Sequence, residues 1–190
     1  MNGTAAPIPP PGPVLETARL RLRPHRLDDL AQRMAMTADL ETMRHIGGAA
    51  QDAEENHARI LRYAGHWALR GYGAFAIEER ATGRFAGEAG LAGFRRGLGD
   101  DFDHDPEALW VLAAWAQGLG YAHEAMTAAI AWHEARFGPT RMVCIIAPDN
   151  RPSLRMAEKL GFLPFREDVY HDRPVVLHAR PPLHNRAGCG

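Results

Sequence analysis

The chain has 190 residues, of which 46% are apolar and 24% charged, with a formal net charge of -1. A chain of this length buries roughly 70% of the surface its unfolded form exposes, so one domain needs no disulfide or metal staple. The balanced charge, without a basic run, gives no electrostatic case for nucleic acid as a partner. No apolar run approaches the roughly 20 residues of a membrane span.

The opening "MNGTAAPIPPPGPV" has neither the basic nor the apolar region of a secretory signal. Its prolines predict a flexible tail over residues 1–14, with Pro7 and Pro10 a formal PxxP match. "RLRLRP" from Arg19 predicts a half-buried strand, with Leu20 and Leu22 on one face and arginines on the other. "LDDLAQRMAMT" places Leu27, Leu30, Ala31 and Met34 at helical spacing, and a second helix is predicted over Ala53–Leu69, with Ile60, Leu61, Ala64 and Trp67 inward. "YGAFAIEE" and "RFAGEAGLAGF" read as strands joined by "RATGR". An acidic loop, "GDDFDHDP", then precedes the strand "EALWVLA".

A helix running to "RFGP" follows, then "RMVCIIAP", an apolar run suited to a strand buried on both faces. Asn150 is placed to cap the helix "RPSLRMAEKLGF", which Gly161 closes. "LPFREDVYHDRPVVLHA" reads as two final strands, and residues 182–190 as a second flexible tail. With only Cys144 and Cys189, a disulfide framework is not expected, and a reducing, cytoplasmic compartment is. The whole is an α/β (α+β) sheet with helices packed on it.

The glycines in "AWAQGLGYAHEAMTAAI" mark a backbone that approaches something closely. A dinucleotide fingerprint would need a third glycine where His123 stands, and a P-loop would need a Gly-Lys-Ser/Thr that does not follow. A plain strand-to-helix turn is the bland reading. Gln117-Gly118-Leu119-Gly120-Tyr121-Ala122 also fits Q/R-x-x-G-x-G/A, in which consecutive main-chain N–H groups turn toward one anion at the positive end of a helix.

That motif, with its flanks, resembles the GNAT acyltransferase superfamily. "EALWVLAAWAQGLGYAHEA", "APDNRPSLRMAEKLGF" and "LETARLRLRPHRLDDL" are each similar to segments of the branch that acetylates ribosomal-protein N-termini. The resemblance covers about Val14 to Arg180 and implies a GNAT domain over 15–181. The implied fold is a single mixed, mostly antiparallel sheet of about seven strands, helices on both faces, splayed between "EALWVLA" and "RMVCIIA". It implies acetyl-CoA as co-substrate and no metal.

By the same resemblance, Gln117, Gly118, Leu119, Gly120, Tyr121 and Ala122 hold the pyrophosphate. Trp110, Val111 and Leu112 pair with the pantetheine arm, an N–H near Leu112 or Val111 polarises the thioester carbonyl, and Asn150 and Ser153 line its far side. Ala157 stands where many members carry a tyrosine that protonates the leaving thiolate, and Ala114 replaces a proline. Glu107 and Glu88 are the candidate bases or amine-orienting carboxylates, with His104 weaker. Asp100, Asp101, Asp103 and Asp105 would favour a cationic substrate, and Trp67, Tyr72, Phe75 and Phe94 are candidates for an acceptor pocket. Neither His123-Glu124 nor His133-Glu134 completes HExxH. The reaction implied is acetyl transfer to a primary amine, of a protein N-terminus or a small molecule, in a ternary complex. A homodimer is compatible with such folds. The rivals are a CoA-binding sensor or scaffold without turnover, which Ala157 motivates, and a module that binds ATP or NAD at the same turn.

Overall fold

The computed structural model describes residues 12–182. Pro7, Pro10 and Cys189, and nearly all of both expected tails, lie outside the described residues. Among the described residues, eight strands form one sheet in the order β1-β2-β3-β4-β5-β6-β8-β7. In chain order they are β1 Leu15–Glu16, β2 Leu20–Pro24, β3 Ala74–Glu79, β4 Phe85–Ala92, β5 Glu107–Leu112, β6 Met142–Ile146, β7 Leu163–Tyr170 and β8 Arg173–Arg180. The strand beyond the expected seven is β1, two residues that extend β2 through Leu15↔Leu22. Every pairing is antiparallel except β5 with β6.

The helices are α1 Leu30–Thr37, α2 Leu40–Met43, α3 Ala53–Arg70, α4 Asp100–Asp103, α5 Tyr121–Phe137 and α6 Arg151–Lys159. Helix α3 starts where Asp52 and Glu55 form a reciprocal capping box, and ends where Gly71 turns left-handed. Helix α5 is rich in alanine, and Ala125, Met126 and Ala129 seat it against Ala89 and Leu91 of β4. The β7–β8 hairpin turns on His171 and Asp172, both with positive φ, as a two-residue primed turn requires.

Two expectations fail for one reason. The inward face of α1 is not Leu27, Leu30, Ala31 and Met34; Arg33, Met36 and Thr37 are buried, and Leu27 is 58% exposed. Arg23 of β2 is likewise buried, although arginines were expected on the open face. In each case a buried carboxylate pulls an arginine inward. Arg33 Nε lies 3.1 Å from Glu88, and Arg23 bonds both Asp29 oxygens at 2.8 and 2.6 Å. A buried charge without a partner costs more than apolar spacing can offset.

The acidic loop is also more structured than expected, because it forms α4 around the buried Phe102.

Candidate active site

Strands β5 and β6 meet at one point, Glu107↔Val143, where the Val143 N–H donates to the Pro106 carbonyl at 3.0 Å. Beyond it they diverge. β6 turns to β8, and the outer edge of β5 opens on a cleft of about 430 Å³. The Ala113 N–H donates to the Ala86 carbonyl at 2.9 Å, and the β4–β5 register runs without a shift. Alternation along an antiparallel ladder therefore commits the Val111 amide to β4 and turns those of Trp110 and Leu112 to the cleft. Of the two amides expected as oxyanion donors, that of Leu112 points to the open edge of β5, whereas that of Val111 is committed to β4 although Val111 itself lines the cleft.

The glycine turn borders a second pocket, which begins where β5 ends at Leu112 and has α6 as its other wall. Gly118 and Gly120 have φ of +76° and +80°, a conformation that side chains with a Cβ rarely adopt. It lets the chain enter α5 without a capping side chain. Among the described residues, no acceptor takes the main-chain N–H groups of Gly118 through Ala122. Free amides at the start of a 17-residue helix suit an anion. Gln117 braces the turn by donating to the Leu112 carbonyl (3.1 Å) and the Thr42 hydroxyl (3.0 Å). Arg19 holds it from the other side, bonded to the Leu119 carbonyl at 2.8 Å and to Glu124 at 2.7 Å. Tyr121 points away, its hydroxyl donating to Glu79 at 2.5 Å.

Helix α6 supplies the opposite wall. The Asn150 carboxamide oxygen accepts from the Ser153 N–H at 3.2 Å, so Asn150 is a cap and a cleft residue at once. The Trp110 indole donates to the Ser153 hydroxyl at 3.2 Å, joining β5 to α6 across the opening. Ala157 is fully buried beside Phe162, and its methyl has no proton to give. Arg155 and Lys159 face the glycine turn from α6. The sequence reading missed both, although their i,i+4 spacing puts them on one helix face.

The two candidate carboxylates have different settings. Glu107 lines the cleft at its closed apex, and Arg96 Nε reaches its two oxygens at 2.8 and 2.7 Å. Burial pushes the Glu107 carboxyl up from its ordinary value, with Arg96 acting in opposition. Glu88 is not brought to the cleft. It lies under α1 and α3, accepting from Arg33 and from the Tyr63 hydroxyl at 2.8 Å. Burial alone would raise its pKa, but Arg33 and Tyr63 outweigh that and hold it below the usual carboxylate value.

The remaining candidates are placed elsewhere. Asp101 pairs with Arg166 at 3.0 Å, Asp105 with Arg141, and His104 with Asp100 at 3.3 Å, while Asp103 accepts from the Arg96 N–H at 2.7 Å. None of them lines the cleft, and neither do Trp67, Tyr72, Phe75 or Phe94. Among the described residues, no three His, Cys, Asp or Glu side chains are grouped to hold a metal. No described helix is long and apolar enough to cross a membrane.

Residues 19–163 match the acetyltransferase (GNAT) domain family. A solved structure from Bordetella pertussis, assigned to the GnaT acetyltransferase family, is 34% identical, with a TM-score of 0.81 over 88% of this chain and 99% of that one. RimL, a ribosomal L7/L12 alpha-N-protein acetyltransferase solved in complex with coenzyme A, shares the fold at 16% identity and a TM-score of 0.70, over 90% of this chain and 98% of that one. The uncharacterized protein YkkB of Bacillus subtilis (strain 168) is 28% identical over 117 residues, which are 58% of this chain and 63% of that relative.

Proposed function

The chain belongs to the GNAT acetyltransferase family, and from that premise we propose that it transfers an acetyl group from acetyl-CoA to a primary amine. The observation that carries this reading is the run of unpaired amides at Gly118–Ala122, which opens onto the free edge of β5. Those amides would hold the pyrophosphate, with Arg155 and Lys159 adding charge. The amides of the pantetheine arm would extend β5 at Trp110 and Leu112. Acetyl-CoA supplies an activated thioester. The Leu112 N–H is the donor for its carbonyl oxygen.

Among the described residues Glu107 is the one carboxylate lining the cleft, and we assign it the proton that the acceptor ammonium must lose before attack, taken directly or through water. As the C–N bond forms, the C–S bond breaks and CoA leaves as a thiolate. With Ala157 in place of an acid, that thiolate takes its proton from water. Ala157 is also the observation favouring a CoA-binding sensor without turnover.

The test is to incubate the full chain with acetyl-CoA and a panel of amines, following free CoA thiol and acetylated product together. Stoichiometric release of both supports the transferase. CoA binding without product from any amine would replace it with the sensor.

A further inference from the structure

Among the described residues, the cleft of about 430 Å³ beside β5 is lined by four arginines, Arg59, Arg62, Arg96 and Arg173, against the single carboxylate Glu107. Arg96 is neutralised by that carboxylate. Among the described residues, the other three form no ion pair. Two of them are nevertheless held in place. Arg62 donates to the Phe94 carbonyl at 3.3 Å and lies 4.7 Å over the Phe94 ring. Arg173 donates to the Arg44 carbonyl at 2.9 Å. Burial, with Arg59 and Arg96 nearby, lowers the Arg62 pKa from its ordinary value, so the Arg59, Arg62 and Arg96 guanidiniums feel one another.

Solitary surface arginines are simply hydrated. Three that line one concavity, Arg62 and Arg173 fixed there by carbonyls, leave positive charge along its wall, in a chain whose net charge is -1. The carboxylates that could have answered it are spent elsewhere, on Arg141, Arg166, His104 and the Arg96 N–H. A cationic acceptor would meet repulsion at this mouth.

We propose that the acceptor is an amine that also carries carboxylate, which Arg59, Arg62 and Arg173 bind while the amine points to Glu107. This rests on the transferase reading and narrows it to free acidic amino acids or acidic peptide N-termini, against polyamines and aminoglycosides.

The experiment compares kcat/KM of the full chain, at saturating acetyl-CoA, for glutamate, Ser-Glu-Glu, Ser-Lys-Lys, spermidine and kanamycin, with CoA binding followed separately by thermal shift. An acidic acceptor is expected to lead the basic ones by about tenfold or more, through KM, as charge-assisted hydrogen bonds imply. Salt should narrow the gap. Arg59→Glu and, independently, Arg173→Glu should each remove most of that lead and leave CoA binding intact, whereas Arg59→Lys keeps part of it. Glutamate against Ser-Glu-Glu tells amino acid from peptide. Equal or better turnover of Ser-Lys-Lys, spermidine or kanamycin overturns the inference and leaves the transferase standing. CoA binding with no turnover of any acceptor overturns the transferase reading and the inference with it.

Discussion

The glycine end of the site presents main-chain amides from one contiguous stretch, Gly118–Ala122, whereas the arginine end gathers side chains from α3, the β4–β5 connection and the start of β8. A main-chain cradle is fixed by φ and ψ and recognises an anion whatever its remaining chemistry. A cluster of side chains can be exchanged one residue at a time without disturbing the sheet. The first suits a co-substrate common to a family, the second an acceptor that differs among its members. The two should therefore respond separately to mutation, and the apex where Glu107 sits should be the place they share.

The largest effect is expected there. Glu107→Gln should lower kcat by about a hundredfold or more, the usual contribution of a positioned base, with little change in acetyl-CoA affinity. The sign of its pH dependence follows from the raised carboxyl. A base works only when deprotonated, so kcat/KM should fall as pH drops through a value above the ordinary carboxylate pKa. The variant should lose that limb. A pH profile unchanged by Glu107→Gln would remove Glu107 from the chemistry.

Gly120→Val tests the glycine end alone. A β-branched residue at φ +80° costs roughly 1–2 kcal/mol or more, so acetyl-CoA should bind about tenfold or more weakly by calorimetry. Acceptor preference, measured at saturating acetyl-CoA, should not move. Arg155→Ala combined with Lys159→Ala should act at the same end but less, raising the acetyl-CoA KM by roughly threefold at low salt and less at high salt, as for exposed charges.

The frame beneath both ends should respond differently again. Burial lowers the pKa of His25 from its ordinary value, and burial with nearby arginines lowers that of His66 to about 4. Below pH about 6.5 the unfolded chain binds protons on these residues that the folded chain refuses. Stability should therefore decline as pH falls below that value, and melting curves would show it. His25→Gln with His66→Gln should blunt the decline without altering the preference of either end.

The contrast between the ends also explains what was legible in the sequence. Gln117–Ala122 is contiguous, and its glycines have a local meaning, so the anion turn and the strand–turn–helix order around it could be read directly. The capping of α6 by Asn150 is local too, and it was legible for the same reason. The arginine cluster was not, because Arg59, Arg62 and Arg173 come together only when α3 and the β7–β8 hairpin close on the cleft. The acidic run Asp100–Asp105 drew attention instead, since a sequence displays carboxylates but not the arginines that neutralise them. Glu88 misled similarly: "GEAGL" exposes a lone carboxylate, and nothing nearby in the chain announces Arg33 or Tyr63. Periodicity placed α1 correctly along the chain and rotated it wrongly, because burying Glu88 selects the polar side of that helix.

The most direct test of the central claim, that the glycine turn is a CoA cradle, is a thermal-shift comparison of the full chain with acetyl-CoA, CoA, ATP and NAD. At 100 times its dissociation constant a ligand adds about 2.7 kcal/mol of stability, a shift readily seen. Stabilisation by acetyl-CoA and CoA alone, lost in Gly120→Val, is the predicted result. Stabilisation by ATP or NAD with no response to CoA would contradict the account.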